Sequence, residues 1–197
     1  IFLQDGILEV FGREVFAMEV GEASRFQQTW GSGVLLGMLL MGLLSVILPI
    51  SKKLIATIGG VGSALGYGLL TLSVLTTRQE LLTPVLMLMG VCTGFFNVGA
   101  LSLMMDMTVE GATGLYMGLW GVAQAFGNGF AGILGGALKS ALIETGFLQA
   151  DLGYSVIFGL EAALLLVGVA ILRSVSIEEF RGLTRSDLTR TMEVATA

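Results

Sequence analysis

One acid of this sequence stands where it is least expected. Glu161 sits among Leu160, Ala162, Ala163 and Leu164, in a run (152–172) with no other charged residue. Placing a carboxyl in hydrocarbon costs about 3 kcal/mol by insertion measurements unless it is partnered or neutralised. Two readings of Glu161 therefore stand. One is a proton site or ligand contact; the other is a neutral acid bonded to a backbone carbonyl or turned toward the headgroups. A second set of polar groups is Trp120, Gln124 and Asn128. Their spacing of four puts them on one helix face, and Gly121, Gly127, Gly129 and Gly132 leave room beside it. That stripe either lines a pocket for a large amphiphile or bonds to a neighbouring helix. Asn97, flanked by Gly94, Phe95, Phe96 and Gly99, poses the same choice between ligand contact and interhelical bond. Asp5, Glu9 and Arg13 also recur every four residues. Paired carboxylates can work as an acid–base device, but Glu9 and Arg13 have the spacing of an ion pair on a helix, which favours structural pairing. Asp106 and Glu110 fall in a connecting segment, where Asp106 either caps the next helix or pairs with a cation from elsewhere.

These groups do not add up to a catalyst. The chain has no histidine, so the usual general base and commonest metal ligand are missing. Its single cysteine, Cys92, lies in an apolar stretch and reads as a small packed residue. No nucleophile–base pair, phosphate loop, dinucleotide fingerprint or Cys/His metal spacing occurs. We expect no enzyme, no metal and no permanently bound cofactor. A net charge of −5 without a basic run argues against a nucleic-acid partner.

The elements that position these residues follow from the solvent they need. Of the 197 residues, 54% are hydrophobic and 13% charged, with a mean hydropathy of +0.88. Soluble domains carry about 25% charge, so the bulk of this chain belongs in a bilayer. A helix crosses the hydrocarbon core with about 20 apolar residues. Five stretches meet that length: 29–50, 54–75, 81–105, 115–138 and 152–172. Residues 1–8 read as the last turns of a truncated span, and the opening Ile1 reads as the start of a fragment. Small-xxx-small pairs at Gly33/Gly37, Gly62/Gly66, Gly90/Gly94 and Gly132/Gly136 predict close helix crossings. The links are short apart from 11–25, which is polar. By helix parity Lys52, Lys53, Arg173, Arg181, Arg185 and Arg190 share one side, and Arg13, Arg25, Arg78 and Lys139 the other. The basic excess predicts a cytoplasmic tail over 174–197. In that tail Ser176-Ile177-Glu178-Glu179 fits a capping box, and the tail reads either as a surface helix or as a solvated segment.

Two stretches carry a resemblance. The first is Gln4-Asp5-Gly6-Ile7-Leu8-Glu9-Val10-Phe11-Gly12-Arg13-Glu14-Val15-Phe16. The second is Leu103-Met104-Met105-Asp106-Met107-Thr108, followed by Gly114-Leu115-Tyr116-Met117-Gly118-Leu119-Trp120-Gly121-Val122-Ala123-Gln124-Ala125-Phe126-Gly127-Asn128-Gly129. Both resemble the PucC-type, or bacteriochlorophyll-delivery, branch of the major facilitator superfamily. Val10 stands where that branch commonly has proline, and Arg13 where glycine is frequent. The resemblance implies the C-terminal six-helix half of a twelve-helix bundle, with its first helix truncated and its N-terminal half missing. It also implies a photosynthetic membrane, thylakoid or intracytoplasmic, or the plasma membrane of a phototroph. Implied partners are the lipid bilayer, chlorophyll or bacteriochlorophyll as cargo, and light-harvesting apoproteins or pigment-synthesis enzymes. It transfers no binding residues.

Three functions compete on this reading: a pigment carrier or assembly factor, a proton-coupled small-solute transporter, and a non-transporting scaffold for pigment–protein assembly. A magnesium-centred pigment accepts oxygen ligands, which Gln124, Asn128, Asn97 or Glu161 could supply.

Overall fold

The computed structural model describes residues 7–108 and 112–176. Among them every regular element is helical: α1 Leu8–Phe16, α2 Val20–Ile47, α3 Lys52–Leu75, α4 Leu82–Met107, α5 Thr113–Lys139 and α6 Ala150–Ser174. A 3₁₀ turn (Gln79–Leu81) leads into α4, and a π turn (Ser140–Glu144) follows α5. The chain is an all-α membrane bundle, as expected. Asp5, Glu110 and the expected tail from residue 177 onward lie outside the described residues.

The helix ends have local causes. Ser51 starts α3 by accepting a hydrogen bond from the Leu54 amide at 3.2 Å, as an N-cap does. Pro84 sits in the first turn of α4, where its missing N–H is not needed. Pro49 stops α2, because the residue before a proline is pushed out of helical geometry. Ala17, at φ 52°, ends α1 in the left-handed conformation usually reserved for glycine.

The polar link expected over 11–25 is a correction. Residues 8–16 and 20–25 are helical, and α2 begins nine residues before the apolar run. Its 28 residues measure about 42 Å, longer than the ~30 Å hydrocarbon core. Loss of apolarity marks where the bilayer ends, not where a helix must stop. Four helices are both long and apolar enough to cross a membrane: α2, α3, α6 and the combined Gln79–Met107 segment. α5 has the length, with 27 residues, but Gln124, Asn128 and its glycines make it less apolar.

The packing runs α2 against α4, α4 against α3 and α3 against α6, with α5 at the edge beside α6 and α1 bridging α2 and α6. Glycine sets the closest approaches. A Cβ on Gly33 would come within 2.7 Å of the Met87 carbonyl oxygen, and one on Gly94 within 2.7 Å of the Met38 amide. α2 and α4 therefore touch backbone to backbone. Gly59 and Gly99 do the same between α3 and α4, and Gly62 and Gly66 there receive Cys92 and Met89. Three of the four small-residue pairs make close crossings. Gly132/Gly136 does not, because a Cβ at either meets nothing within 4 Å. Between α3 and α4, Ser63 and Thr93 share a buried 3.2 Å hydrogen bond.

The core lies toward the end of the bundle where α2, α4 and α6 begin. Phe11 stands at its centre, edge-on to Tyr154 and Phe158 with ring centroids 5.3 and 5.1 Å away. Tyr67, Leu70, Leu86 and Met89 close around them.

Candidate functional site

Glu161 is the buried acid that the sequence singles out. It is 2% exposed and lines a cleft of about 440 Å³ between α5 and α6. Phe96 of α4 forms one wall; Phe130, Ala131 and Leu134 of α5 form another; Leu164 to Val175 of α6 form the floor. Glu161 is the one titratable residue in that lining. Outside the cleft, Ile143 of the π turn packs onto Gly153 in the first turn of α6. A larger cavity of about 630 Å³ is a rim crevice between the α1–α2 and α3–α4 links, lined by Thr77, Arg78, Gln79 and Glu80 among others. No sequence-identified site residue lines it, so we place the candidate site at Glu161.

The α5 stripe is located differently from the expected pocket. Gln124 and Asn128 are exposed and Trp120 is half-buried, and none of them lines the Glu161 cleft. A Cβ at Gly118, Gly121, Gly127, Gly129 or Gly132 meets nothing within 4 Å. The room read beside the stripe is real, but it is an open outer face and not an enclosed pocket. Among the described residues the stripe makes no bond to a neighbouring helix, and α5 touches little besides α6 and its own following turn. Asn97 is half-buried on α4; its neighbour Phe96 lines the cleft and Asn97 does not.

Polar groups gather instead at the two ends of the bundle. At one end Lys52 pairs with Asp106 at 2.6 Å, which answers what Asp106 does. Lys53 donates to the carbonyls of Arg173 and Val175 at 2.7 and 2.8 Å and so satisfies the last turn of α6. The Lys-Lys turn thereby ties the α2–α3 link to the ends of α4 and α6.

At the other end Glu14 of α1 uses both its oxygens. Lys139, closing α5, pairs with Oε1 at 3.1 Å, and the Tyr154 hydroxyl of α6 donates to Oε2 at 2.7 Å. Lys139 also reaches Glu144 at 3.3 Å, whose second oxygen accepts from Ser140 at 2.6 Å. Burial works against the Lys139 charge, but the hydrogen bond and charge of Glu14, then those of Glu144, outweigh it and hold the ammonium above the usual lysine range. The Ser140 hydrogen bond, followed by Lys139, holds Glu144 below the usual carboxylate range. Glu9 and Arg13, expected to pair, are both exposed, and among the described residues no ion pair joins them. The acid that α1 uses is Glu14, one position beyond Arg13 and on the opposite side of the helix from Glu9.

Sequence reasoning missed Glu14, Lys139, Tyr154 and the cleft aromatics Phe96 and Phe130. Glu14 and Tyr154 are 140 residues apart, so no local spacing signals their contact. Among the described residues, no group of three His, Cys, Asp or Glu side chains is placed to hold a metal.

Comparison with known proteins places this arrangement. The chain is 31% identical over 192 residues to the bacteriochlorophyll synthase 44.5 kDa chain of Rhodobacter capsulatus, covering 93% of this chain and 43% of that protein. It is 28% identical over 177 residues to an uncharacterized protein of the puhA-bchM intergenic region of Rhodobacter capsulatus, covering 86% and 37%. Protein PucC of Cereibacter sphaeroides is 27% identical over 175 residues, covering 86% and 38%. The chain thus spans less than half the length of the curated relatives it matches. No solved structure matches it. The family model for PUCC protein matches residues 1–180, which takes in all six helices and both polar end clusters: the chain belongs to the PucC family.

Proposed function

We propose that the protein to which this chain belongs works in the membrane of a phototroph, carrying bacteriochlorophyll or chlorophyll during assembly of light-harvesting complexes. One observation supports this reading above others: family membership over residues 1–180, together with a relative named for bacteriochlorophyll synthesis. The open α5 face is compatible with it. A flat, bulky pigment needs a wall without protruding side chains, and Gly118, Gly121, Gly127, Gly129 and Gly132 make such a wall beside Trp120, Gln124 and Asn128. Oxygen atoms of Gln124 and Asn128 suit transient ligation of a hard central cation. The pigment is cargo on this reading, not a resident cofactor, and the chain carries out no chemical step. A scaffold that holds apoproteins or pigment-synthesis enzymes without moving pigment is the neighbouring reading. The same wall could equally receive the rest of a longer protein.

The experiment is pigment spectroscopy of the protein purified in detergent from a phototroph's membrane, with co-purifying proteins identified alongside. Bound chlorophyll-type absorbance is expected, and it should fall at least several-fold in the Gln124→Leu/Asn128→Leu double variant if each polar contact contributes about 1 kcal/mol. Pigment-free protein that retains apoproteins or synthases would favour the scaffold. Unchanged pigment content in a folded double variant would reject the α5 face as the site.

A second reading, proton-coupled transport of a small solute, is favoured by a single residue. Glu161 is an intramembrane acid lining a cleft, the usual position of a proton relay. Uptake driven by a pH gradient and abolished by Glu161→Gln would establish that reading; uptake indifferent to the substitution would remove it.

A further inference from the structure

The carrier reading makes use of the open α5 face and leaves the α5–α6 cleft unused. We infer that the α5–α6 cleft binds one long hydrocarbon chain, with an oxygen function at its head, alcohol or ester, held at Glu161.

Shape is the first argument. Glu161 and Val175 bound the α6 floor, and the fourteen residues between their positions span about 21 Å of helix. A volume of about 440 Å³ over that length leaves a cross-section of about 21 Å². That average is about the width of one alkyl chain. At the ~30 Å³ that one water molecule takes up in the liquid, close to the size of a methylene group, the cleft holds about fifteen such groups. Length and volume therefore agree on one chain of roughly that many carbons.

The lining is the second argument. Apart from Glu161 the walls and floor are apolar, with Phe96 and Phe130 as the aromatic sides. Gly168 lies in the floor, and a Cβ there would meet nothing within 4 Å. The missing side chain widens the groove at mid-length without being needed for helix packing. In lipid, apolar surfaces gain little from leaving the solvent, so occupancy depends on how well shapes fit. A groove of fixed length and width selects among chains by length and branching.

Glu161 is the third argument. Its carboxyl is buried at the inner end of the groove, about 20 Å along α6 from the Ser174 end. A carboxyl can make several hydrogen bonds, donating when protonated and accepting in either form. Bonds within the protein therefore leave capacity for a ligand oxygen. An alcohol meets either protonation state, and a plain hydrocarbon meets neither. The inferred ligand lies with its oxygen near the bilayer midplane and its chain running toward Val175. Two sources supply that chemistry: the straight chain of a membrane lipid and the branched isoprenoid alcohol of a pigment.

The test uses the whole protein in detergent with two photoactivatable probes, diazirine-bearing 1-hexadecanol and diazirine-bearing geranylgeraniol, and maps crosslinks by mass spectrometry. Saturable labelling is expected within 164–175 and at Phe130, displaced by the unlabelled alcohol. Gly168→Phe, or Gly168→Leu where the larger group impairs folding, should reduce it by about tenfold by filling the groove. Glu161→Leu should weaken it by up to about tenfold, the worth of one hydrogen bond, while Glu161→Gln retains most of it. Preference for the isoprenoid probe assigns the site to a pigment tail, and parity or preference for hexadecanol assigns it to a bilayer lipid. Labelling that fails to saturate on the unmodified protein, or that spreads evenly over the outer faces of α2 to α6, would overturn the inference without reference to any variant. Either result leaves the α5-face reading to its own experiment.

Discussion

Glu14 is the residue on which most of one end of the bundle converges. Its two oxygens hold α5 through Lys139 and α6 through Tyr154, joining α1 to both helices. Hydrogen bonds to a charged group are worth about 1.5–3 kcal/mol, and partial exposure of the Lys139 pair pulls its share toward the lower figures typical of surface pairs. Glu14→Gln should therefore destabilise the bundle by about 1–2 kcal/mol, read as a lower thermal midpoint in detergent. Glu144→Gln should do much less, since Glu144 is the more exposed partner. The pH dependence has a definite sign. Lys139 is raised, so its contribution is complete below the usual lysine value and disappears as pH climbs through the raised one. Glu144 is lowered, so its contribution is complete above the usual carboxylate value and disappears as pH falls through the lowered one. Between about pH 5 and 10 both are in force. Thermal midpoints measured across that window should show no step from this cluster, and a decline in acid should shrink in Lys139→Met.

At the scale of helices, glycine has two distinct uses. On α2 and α4 it is a contact surface: Gly33, Gly37, Gly90 and Gly94 put backbone against backbone, and no side chain there can move aside. Gly94→Ala should cost about 1–3 kcal/mol or more by forcing the helices apart. On α5 Gly118, Gly121, Gly127, Gly129, Gly132 and Gly136 face open space, so Gly132→Ala should be neutral or raise stability by up to about 1 kcal/mol through helix propensity. Comparing the two variants by thermal unfolding in detergent separates the roles, and equal losses would mean that α5 is packed against something within this chain. The sequence makes both sets look alike, since Gly33/Gly37 and Gly132/Gly136 share one spacing. Spacing reports which residues share a face and is silent on what that face meets. The same limit governs the α5 stripe. The common face of Trp120, Gln124 and Asn128 was legible from their positions; that it stays outside the Glu161 cleft depends on how α5 sits beside α6, which no interval along the chain encodes.

Taken whole, the molecule is legible where solvent decides and opaque where distant segments meet. The scarcity of charge over five long runs, four of them with none and the fifth with Glu161 alone, places the helices within a few residues, because burying a charge in lipid is costly enough to leave a clear mark. α2 escapes that rule at its start, where polar residues continue the helix beyond the apolar core. Lys52 with Asp106 and Glu14 with Tyr154 join residues 54 and 140 positions apart, and their pairing waits on the fold. The outward faces are apolar, with Val46, Phe126 and Ile133 each at least three-quarters exposed. Without detergent the chain should aggregate; a freely soluble, monodisperse product by light scattering would contradict a membrane bundle. α3 occupies the middle, pressed between α4 and α6, and it is the least apolar of the four membrane-crossing segments. During synthesis α3 leaves the ribosome while α6 is still some seventy-five codons away. The segment least suited to lipid must therefore be chaperoned, or lodge beside α4 alone, until its second neighbour is inserted. A chain stalled before Ala150 should accordingly leave the Gly60 face of α3, which Val169 covers in the finished bundle, open to a membrane-permeant thiol reagent in a Gly60→Cys variant, and completion should close it.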